Sequence, residues 1–112
     1  MPIDGIYTAY LSGVAGQSMA MFVFTAGTIT GADIGGLVYS GNYKASEGRV
    51  AGHITYRMPA ASVSITGAEF VQQSEDITVP IDLPETLNEK ETYRINTPIG
   101  PINAKFIKNA EL

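Results

Sequence analysis

The side chains that most often perform acid–base, nucleophilic or metal chemistry are few in this sequence. It contains one histidine, His53, and no cysteine. A zinc site takes several His, Cys or carboxylate ligands and a nucleophile needs a neighbouring base, so His53 alone supports neither kind of site. The carboxylates of Glu75–Asp76 and of Asp82 and Glu85 have the chemistry for acid–base catalysis, but adjacent strand residues point to opposite faces. The glycines form neither a G-x-G pair nor a P-loop. We therefore predict no catalytic site, no metal site and no cofactor.

Aromatic residues at alternating positions are the best candidates for a binding site. A period of two places Tyr39 and Tyr43 on one face of a strand, and Tyr56 on the same face as its neighbours in the next strand. The expected ligand-contacting side chains are Tyr39, Tyr43, Ile54, Tyr56, Met58, Tyr93 and Phe106. Aromatic walls that carry hydroxyl groups suit a small apolar ligand with one polar end, and small inward residues (Gly41, Gly52 and Ala104) would leave it room. The alternative is that these rings fill the protein interior without a ligand.

Alternating apolar and polar residues run through most of the chain and predict the elements that position these rings. Glycine-containing turns separate the alternating stretches, as at Ala26–Gly27 and at residues 45–48, and no long helical period occurs. The predicted strands are Ile3–Ser12, Gln17–Thr25, Thr28–Gly31, Leu37–Lys44, Arg49–Met58, Ile77–Leu83, Glu91–Thr97 and Ile102–Lys108, with a short strand or an irregular crossing at Ser62–Thr66. The pattern is typical of an all-β barrel or sandwich, and the sequential hairpins favour a single antiparallel up-and-down barrel over residues 1–112.

One stretch has the composition of a membrane helix. Residues 19–39, MAMFVFTAGTITGADIGGLVY, contain one charged side chain, Asp33, and three glycines spaced by four, as in helices that pack in lipid. Its Thr, Val, Ile and Phe residues are typical of strands, and no Lys or Arg precedes Lys44 to orient a span. We therefore interpret it as strands and turns, with Asp33 capping a bend, and expect no contact with a membrane.

The charge of the chain bears on its partners. The net charge is −4, which argues against nucleic acid, since phosphate binding needs clustered Lys and Arg. Residues 69–91 contain seven acidic residues and one lysine. Exposed carboxylates there would attract a basic protein surface, and the expected protein contacts are Glu85, Glu89 and Glu91. The lack of cysteine is typical of the cytoplasm, where we expect the protein to act.

The second predicted strand is apolar on both of its faces. One barrel wall cannot bury both sets of side chains, and an exposed apolar patch usually marks an interface. We therefore predict a homodimer whose interface includes Met19, Met21, Phe22, Val23 and Phe24.

Several short motifs occur in an order that resembles a known family. They are DGIY at residues 4–7, GTITGAD at 27–33, YSGNY at 39–43, VAGHI at 50–54 and AKFIKNAEL at 104–112. In this order they are similar to the family of GrlR, the negative regulator of type III secretion. The resemblance implies a lipocalin-like (calycin-like) barrel, often dimeric, in the bacterial cytoplasm. It also implies a regulator that acts by protein binding, on a transcriptional activator.

The chain departs from that family at one turn. The regulator carries an acidic Glu-Asp-Glu-Asp run in a loop used for partner recognition, whereas the matching turn here, residues 45–48, has the single acid Glu47. The barrel mouth or the acidic 69–91 segment is then the expected contact surface, and a small apolar ligand could gate that contact. The alternative function is a small-molecule carrier or sensor barrel unrelated to secretion.

Overall fold

The protein is an all-β molecule, described by a computed structural model that covers residues 1–112. Its strands are β1 (Gly5–Gly13), β2 (Gly16–Thr25), β3 (Thr28–Asp33), β4 (Val38–Ser46), β5 (Arg49–Tyr56), β6 (Ser62–Val63), β7 (Glu69–Phe70), β8 (Ile77–Pro84), β9 (Tyr93–Thr97) and β10 (Gly100–Glu111). Eight of them form one antiparallel sheet, and β6 and β7 form a separate two-stranded sheet. The predicted all-β class is confirmed.

The large sheet curls into an almost closed up-and-down barrel, as predicted. Its strand order is β8-β5-β4-β3-β2-β1-β10-β9. Strands that pair in the barrel are therefore consecutive in the chain, except that β5 pairs with β8 and β1 pairs with β10. That pair joins the first strand to the last, with Gly5 opposite Glu111. The edge strands β8 and β9 share no backbone ladder. They meet through side chains, where Ile95 packs against a cluster containing Val79.

The alternation of apolar and polar residues determines which side chains of each strand face the core. In β8 the residues Ile77, Val79, Ile81 and Leu83 are buried, while the residues between them are exposed. The turn between β2 and β3 is a tight one, because Ala26 and Gly27 both have positive φ, at 50° and 83°, as a two-residue hairpin turn requires. Strand bounds differ from the predictions by one to three residues, and the largest difference in the barrel is at β10, which continues to Glu111 in register with β1.

Two glycines allow β4 and β5 to approach closely. A Cβ atom on Gly41 would lie 1.9 Å from the carbonyl oxygen of His53, and one on Gly52 would lie 1.9 Å from the carbonyl oxygen of Asn42. The sequence-based interpretation that these glycines leave room for a ligand is therefore wrong. Neither they nor Ala104 line the internal cavity, and Gly41 and Gly52 are needed because another backbone occupies the space of a side chain.

The two ends of the barrel are closed differently. At one end, here called the closed end, Ile3 is fully buried and the Tyr7 hydroxyl donates a hydrogen bond of 2.6 Å to the Ile3 carbonyl. The Tyr43 hydroxyl donates to the Asp4 carboxylate at the same end. At the opposite end, residues 57–76, here called the cap, cross the barrel between β5 and β8 and contain β6 and β7.

The cap is fixed to the barrel rim by backbone contacts. The amide of Ala15, in the β1–β2 turn, donates to the carbonyl of Ile65 over 2.8 Å. The amide of Met58 donates to the Ser74 hydroxyl over 2.8 Å, which holds the two ends of the cap together. The structure contains no helix able to cross a membrane, and residues 19–39 belong to β2, β3, β4 and their connections. The interpretation of that stretch as strands and turns is confirmed.

Candidate ligand cavity

A cavity of about 350 Å³ lies inside the barrel beneath the cap. Of the 26 residues that line it, 17 are hydrophobic, so the wall suits an apolar molecule. Its volume falls in the lower part of the range of about 300–1,000 Å³ that is common for small-molecule sites. The interior side chains therefore leave space that a small ligand could occupy.

Five of the seven side chains predicted to contact a ligand line this cavity. They are Tyr39, Ile54, Tyr56, Met58 and Phe106. Tyr43 and Tyr93 do not, and their prediction as cavity residues is wrong. Tyr43 faces inward but lies near the closed end, where its hydroxyl binds Asp4. Tyr93 packs its ring on Phe106, and its hydroxyl accepts a hydrogen bond of 2.9 Å from the amide of Asn88, at the same end.

Two residues predicted for a dimer interface belong to the cavity instead. Phe22 and Phe24 are only 6% and 1% exposed and line its wall. Alternation along β2 turns Ala20 inward with them and turns Met19 and Met21 outward, 37% and 51% exposed. The predicted interface is therefore wrong at Phe22 and Phe24, which cannot reach a partner.

The cap supplies a part of the wall that the sequence did not identify. Residues 62–66 (SVSIT) line the cavity from above. Ser64 is the one buried polar residue of the protein, and its hydroxyl accepts a hydrogen bond of 3.1 Å from the Thr66 hydroxyl. The alternation of this segment predicts only a short strand or a crossing, and nothing in it shows that the segment lies over the cavity.

Asp33 places a carboxylate on the cavity wall at the end of β3. Its Oδ1 accepts hydrogen bonds of 2.9 Å from the amides of Gly35 and Leu37, which confirms that Asp33 caps the bend between β3 and β4. Its Oδ2 accepts a third bond of 2.9 Å from the Tyr39 hydroxyl. Asp33 makes no ion pair, and no Lys, Arg or His lines the cavity.

Two tyrosine hydroxyls adjoin this carboxylate. The Tyr39 and Tyr56 ring centroids are 5.2 Å apart. Burial, reinforced by the negative charge of Asp33, raises the pKa of both phenols above the ordinary value, so both remain protonated hydrogen-bond donors. The Tyr39 hydroxyl donates its hydrogen bond to Asp33, while the Tyr56 hydroxyl makes no hydrogen bond within the protein. The cavity thus offers an apolar wall with one polar corner formed by Asp33 and Tyr56.

The remaining titratable candidates lie elsewhere. His53 is exposed on the outer face of β5. Asp76 pairs with Arg57 at 2.5 Å and Asp82 with Arg49 at 3.0 Å, all four side chains being more than half exposed. No three His, Cys, Asp or Glu residues are placed to hold a metal ion. These carboxylates act as surface ion pairs and do not line the cavity.

Comparison of the chain with protein-family models, curated proteins and solved structures finds no match. What the arrangement can do chemically follows from its lining. Hydrophobic side chains can exclude water from an apolar body, and the Asp33–Tyr56 corner can hydrogen-bond one polar group. The site is therefore suited to binding.

The aromatic core at the closed end predicts a loss of stability in alkali. Burial and the charge of Glu111 raise the pKa of Tyr7 from 10.0 to about 12, and burial with the hydrogen bond to Asp4 raises the pKa of Tyr43 to about 12. Between pH 10.0 and about pH 12 these tyrosines remain protonated in the folded chain but lose their protons in the unfolded chain. The free energy of unfolding therefore falls as the pH rises through this window. Urea denaturation below and within this window measures the effect. Tyr43→Phe should flatten the decline, and a constant free energy of unfolding across the window would contradict the assignment.

Proposed function

We propose that this protein is a binding protein for a small apolar ligand, which it holds inside the barrel. The observation that carries the proposal is the cavity itself. Its wall combines the inward faces of most barrel strands with the cap and leaves about 350 Å³ unfilled. Since protein interiors are normally packed to the density of organic crystals, a space of this size with an apolar wall is a candidate ligand site.

Titration with a neutral dye tests the proposal. N-phenylnaphthylamine fluoresces more strongly in apolar surroundings, so saturable binding is expected as a rise in emission that reaches a plateau at one dye per chain. Octanol, which has an apolar tail and one hydroxyl, should displace it. A signal that does not saturate, or a dye that octanol cannot displace, would show that the cavity is not a binding site.

We also propose a regulatory role through protein contact, as the resemblance to the GrlR family implies. In this proposal the protein acts in the bacterial cytoplasm as a negative regulator of type III secretion, by binding a transcriptional activator. Surface charge supports the choice of contact. Ion pairs with arginine neutralise Asp76 and Asp82, whereas Glu89 and Glu91 are exposed in the loop at the closed end and Glu85 is partly exposed. A basic partner would meet these three carboxylates.

Charge removal at that loop should affect the speed of partner binding. Once a protein partner is isolated, the combined variant Glu85→Gln, Glu89→Gln and Glu91→Gln is expected to slow association and reduce its salt dependence, because steering by exposed charge acts on the on-rate. Surface plasmon resonance at several salt concentrations measures both. Glu47→Gln is the matched control. Lys44 and Arg49 flank Glu47 in the sequence and offset its charge, so its removal should have little effect on steering. Loss of binding in Glu47→Gln with normal binding by the triple variant would place the contact at the turn instead.

We further propose that two copies of the chain associate through the outer face of β1–β4. Cross-strand neighbours on this face form a continuous apolar surface: Tyr10 lies opposite Met19, Met21 opposite Ala32, and Ala32 opposite Val38. The outward residues of β1, β2 and β3 include no charged side chain. Val23, also outward and partly buried, is at its margin. A second copy of this apolar face is its natural complement.

A charge in the middle of that face should separate the two copies. Met21→Lys is expected to shift the molar mass from that of a dimer to the 11.9 kDa of one chain, because an ammonium group in the interface would lose its hydration. Light scattering over a range of micromolar concentrations measures the mass. Val71→Lys, at an equally apolar but distant position that is 88% exposed, should remain dimeric. A mass of one chain for the unaltered protein at every concentration would exclude the dimer.

A further inference from the structure

The polar corner of the cavity has an unusual charge balance. Asp33 is the only residue among the 26 in the wall that carries a charge at neutral pH, and all other polar groups there are neutral hydroxyls or an amide. Each ion pair of the protein lies elsewhere and involves other carboxylates, namely Asp4, Asp76, Asp82 and Glu111. A molecule that enters the cavity therefore meets one uncompensated negative charge.

The local backbone holds this carboxylate in place. The two amide hydrogen bonds to Oδ1 fix the side chain against the β3–β4 bend. Oδ2 has one donor, the Tyr39 hydroxyl. A carboxylate oxygen can accept two hydrogen bonds, so Oδ2 retains the capacity to accept one from a ligand. Tyr56, whose hydroxyl makes no hydrogen bond within the protein, also lines the cavity, and its ring centroid is 5.2 Å from that of Tyr39.

We propose that the ligand carries a protonated amine at one end of an apolar body, and that the ammonium group donates a hydrogen bond to Asp33 Oδ2. This inference rests on the proposed function and specifies its ligand class. A cation is complementary to the negative charge of Asp33, and one of its N–H groups can use the free acceptor position of Oδ2. The apolar remainder of the ligand would contact the hydrophobic lining. A carboxylic acid of the same length would bring a second negative charge to Asp33 with no basic residue to offset it.

Three ligands of equal chain length distinguish the proposed binding of an amine from the binding of any small apolar molecule. Octylamine, octanol and octanoate are competed against bound N-phenylnaphthylamine at neutral pH, where the amine is a cation and the acid an anion. Octylamine is expected to bind roughly 10- to 100-fold more tightly than octanol, as is typical of a hydrogen bond to a charged partner, and octanoate more weakly than octanol.

Substitution of the carboxylate tests the assignment to Asp33. Asp33→Asn retains an oxygen for the amides of Gly35 and Leu37, so the bend is preserved, and the affinity of octanol for the same variant serves as the reference. The advantage of octylamine over octanol should fall to about threefold or less. Asp82→Asn is the matched control, because it removes the same charge from the outer wall and should leave the advantage intact.

The outcomes distinguish this inference from the proposed function. If octanol displaces the dye but octylamine shows no advantage, or if Asp33→Asn retains the full advantage, the amine assignment is overturned and apolar binding stands. If none of the three ligands displaces the dye, both proposals fail. Should Asp33→Asn not fold, the order on the unaltered protein decides alone: octanoate bound as tightly as octylamine overturns the inference.

Discussion

Replacing Ile54 by tryptophan is expected to weaken the binding of an apolar probe about 100-fold. That factor corresponds to roughly 120 Å² of ligand surface left unburied at about 25 cal/mol per Å². Ile54 belongs to the inward face of β5 but is not fully buried, because part of its surface borders the cavity. An indole ring at this position would extend into the empty space and occupy the volume that a ligand needs. The expected result is loss of binding with the β-sheet circular dichroism spectrum unchanged.

A neighbouring position provides the matched control. His53 is the preceding residue of β5 and its side chain is exposed on the outside of the barrel. His53→Trp therefore adds the same ring to the same strand without entering the cavity, and the probe should bind as it does to the unaltered protein. Equal affinities for the Ile54→Trp and His53→Trp variants would show that the probe binds somewhere other than the cavity.

Replacing Gly52 by alanine is expected to lower the free energy of unfolding by about 3 kcal/mol or more. The added Cβ would lie 1.9 Å from the carbonyl oxygen of Asn42 and 2.8 Å from the Cα of Tyr43. Both are backbone atoms of a paired strand, so no side-chain rotation can relieve the overlap, and β4 and β5 must separate. The gain of about 0.4–1 kcal/mol that alanine usually brings by restricting the unfolded chain is too small to compensate. Urea denaturation measures the change.

Gly16 is the corresponding control within a strand. A Cβ there would have its nearest neighbour, Cγ2 of Ile65, at 3.6 Å, which is ordinary van der Waals contact. Gly16→Ala should therefore alter the free energy of unfolding by no more than about 0.5 kcal/mol. If Gly52→Ala were as stable as Gly16→Ala, the close approach of β4 and β5 would not be the reason for the glycine.

Alternation in the sequence identified which side of most strands faces inward, but not how deep each residue lies. Tyr39 and Tyr43 share a face of β4, and the period of two treats them as equivalent. Their distances along the barrel axis differ by four residues, which places one at the cavity and the other at the closed end. A period of two gives the face on which a residue lies but not its height along the barrel axis, so alternation alone cannot separate the two positions.

Strand β2 and the cap show two other features that the sequence pattern does not predict. Both faces of β2 are apolar, so composition gives no basis for choosing which set is buried, and it predicts Phe22 and Phe24 at an interface although they face inward. The register with β1 decides it, since Phe22 pairs with Tyr7 and shares its inward direction. The alternation within the cap is limited to residues 62–66, and the place of the cap over the cavity depends on single contacts such as the Ala15–Ile65 hydrogen bond. By contrast, the bend at Asp33 was predictable because it is formed within five residues.

The pairing of β1 with β10 has a consequence for how fast the protein folds. The hydroxyl of Thr8 donates a hydrogen bond to the side-chain oxygen of Asn109, 101 residues later in the chain, and the whole β1–β10 ladder joins segments of similar separation. Apart from β5–β8, whose strands are separated by the cap, the other ladders of the barrel link consecutive strands and can form as local hairpins. This one must close a loop of nearly the entire chain, at a large entropic cost. Folding is therefore expected on the millisecond-to-second scale of β-proteins with high contact order, and during synthesis β1 has no partner on this side until β10 has emerged from the ribosome.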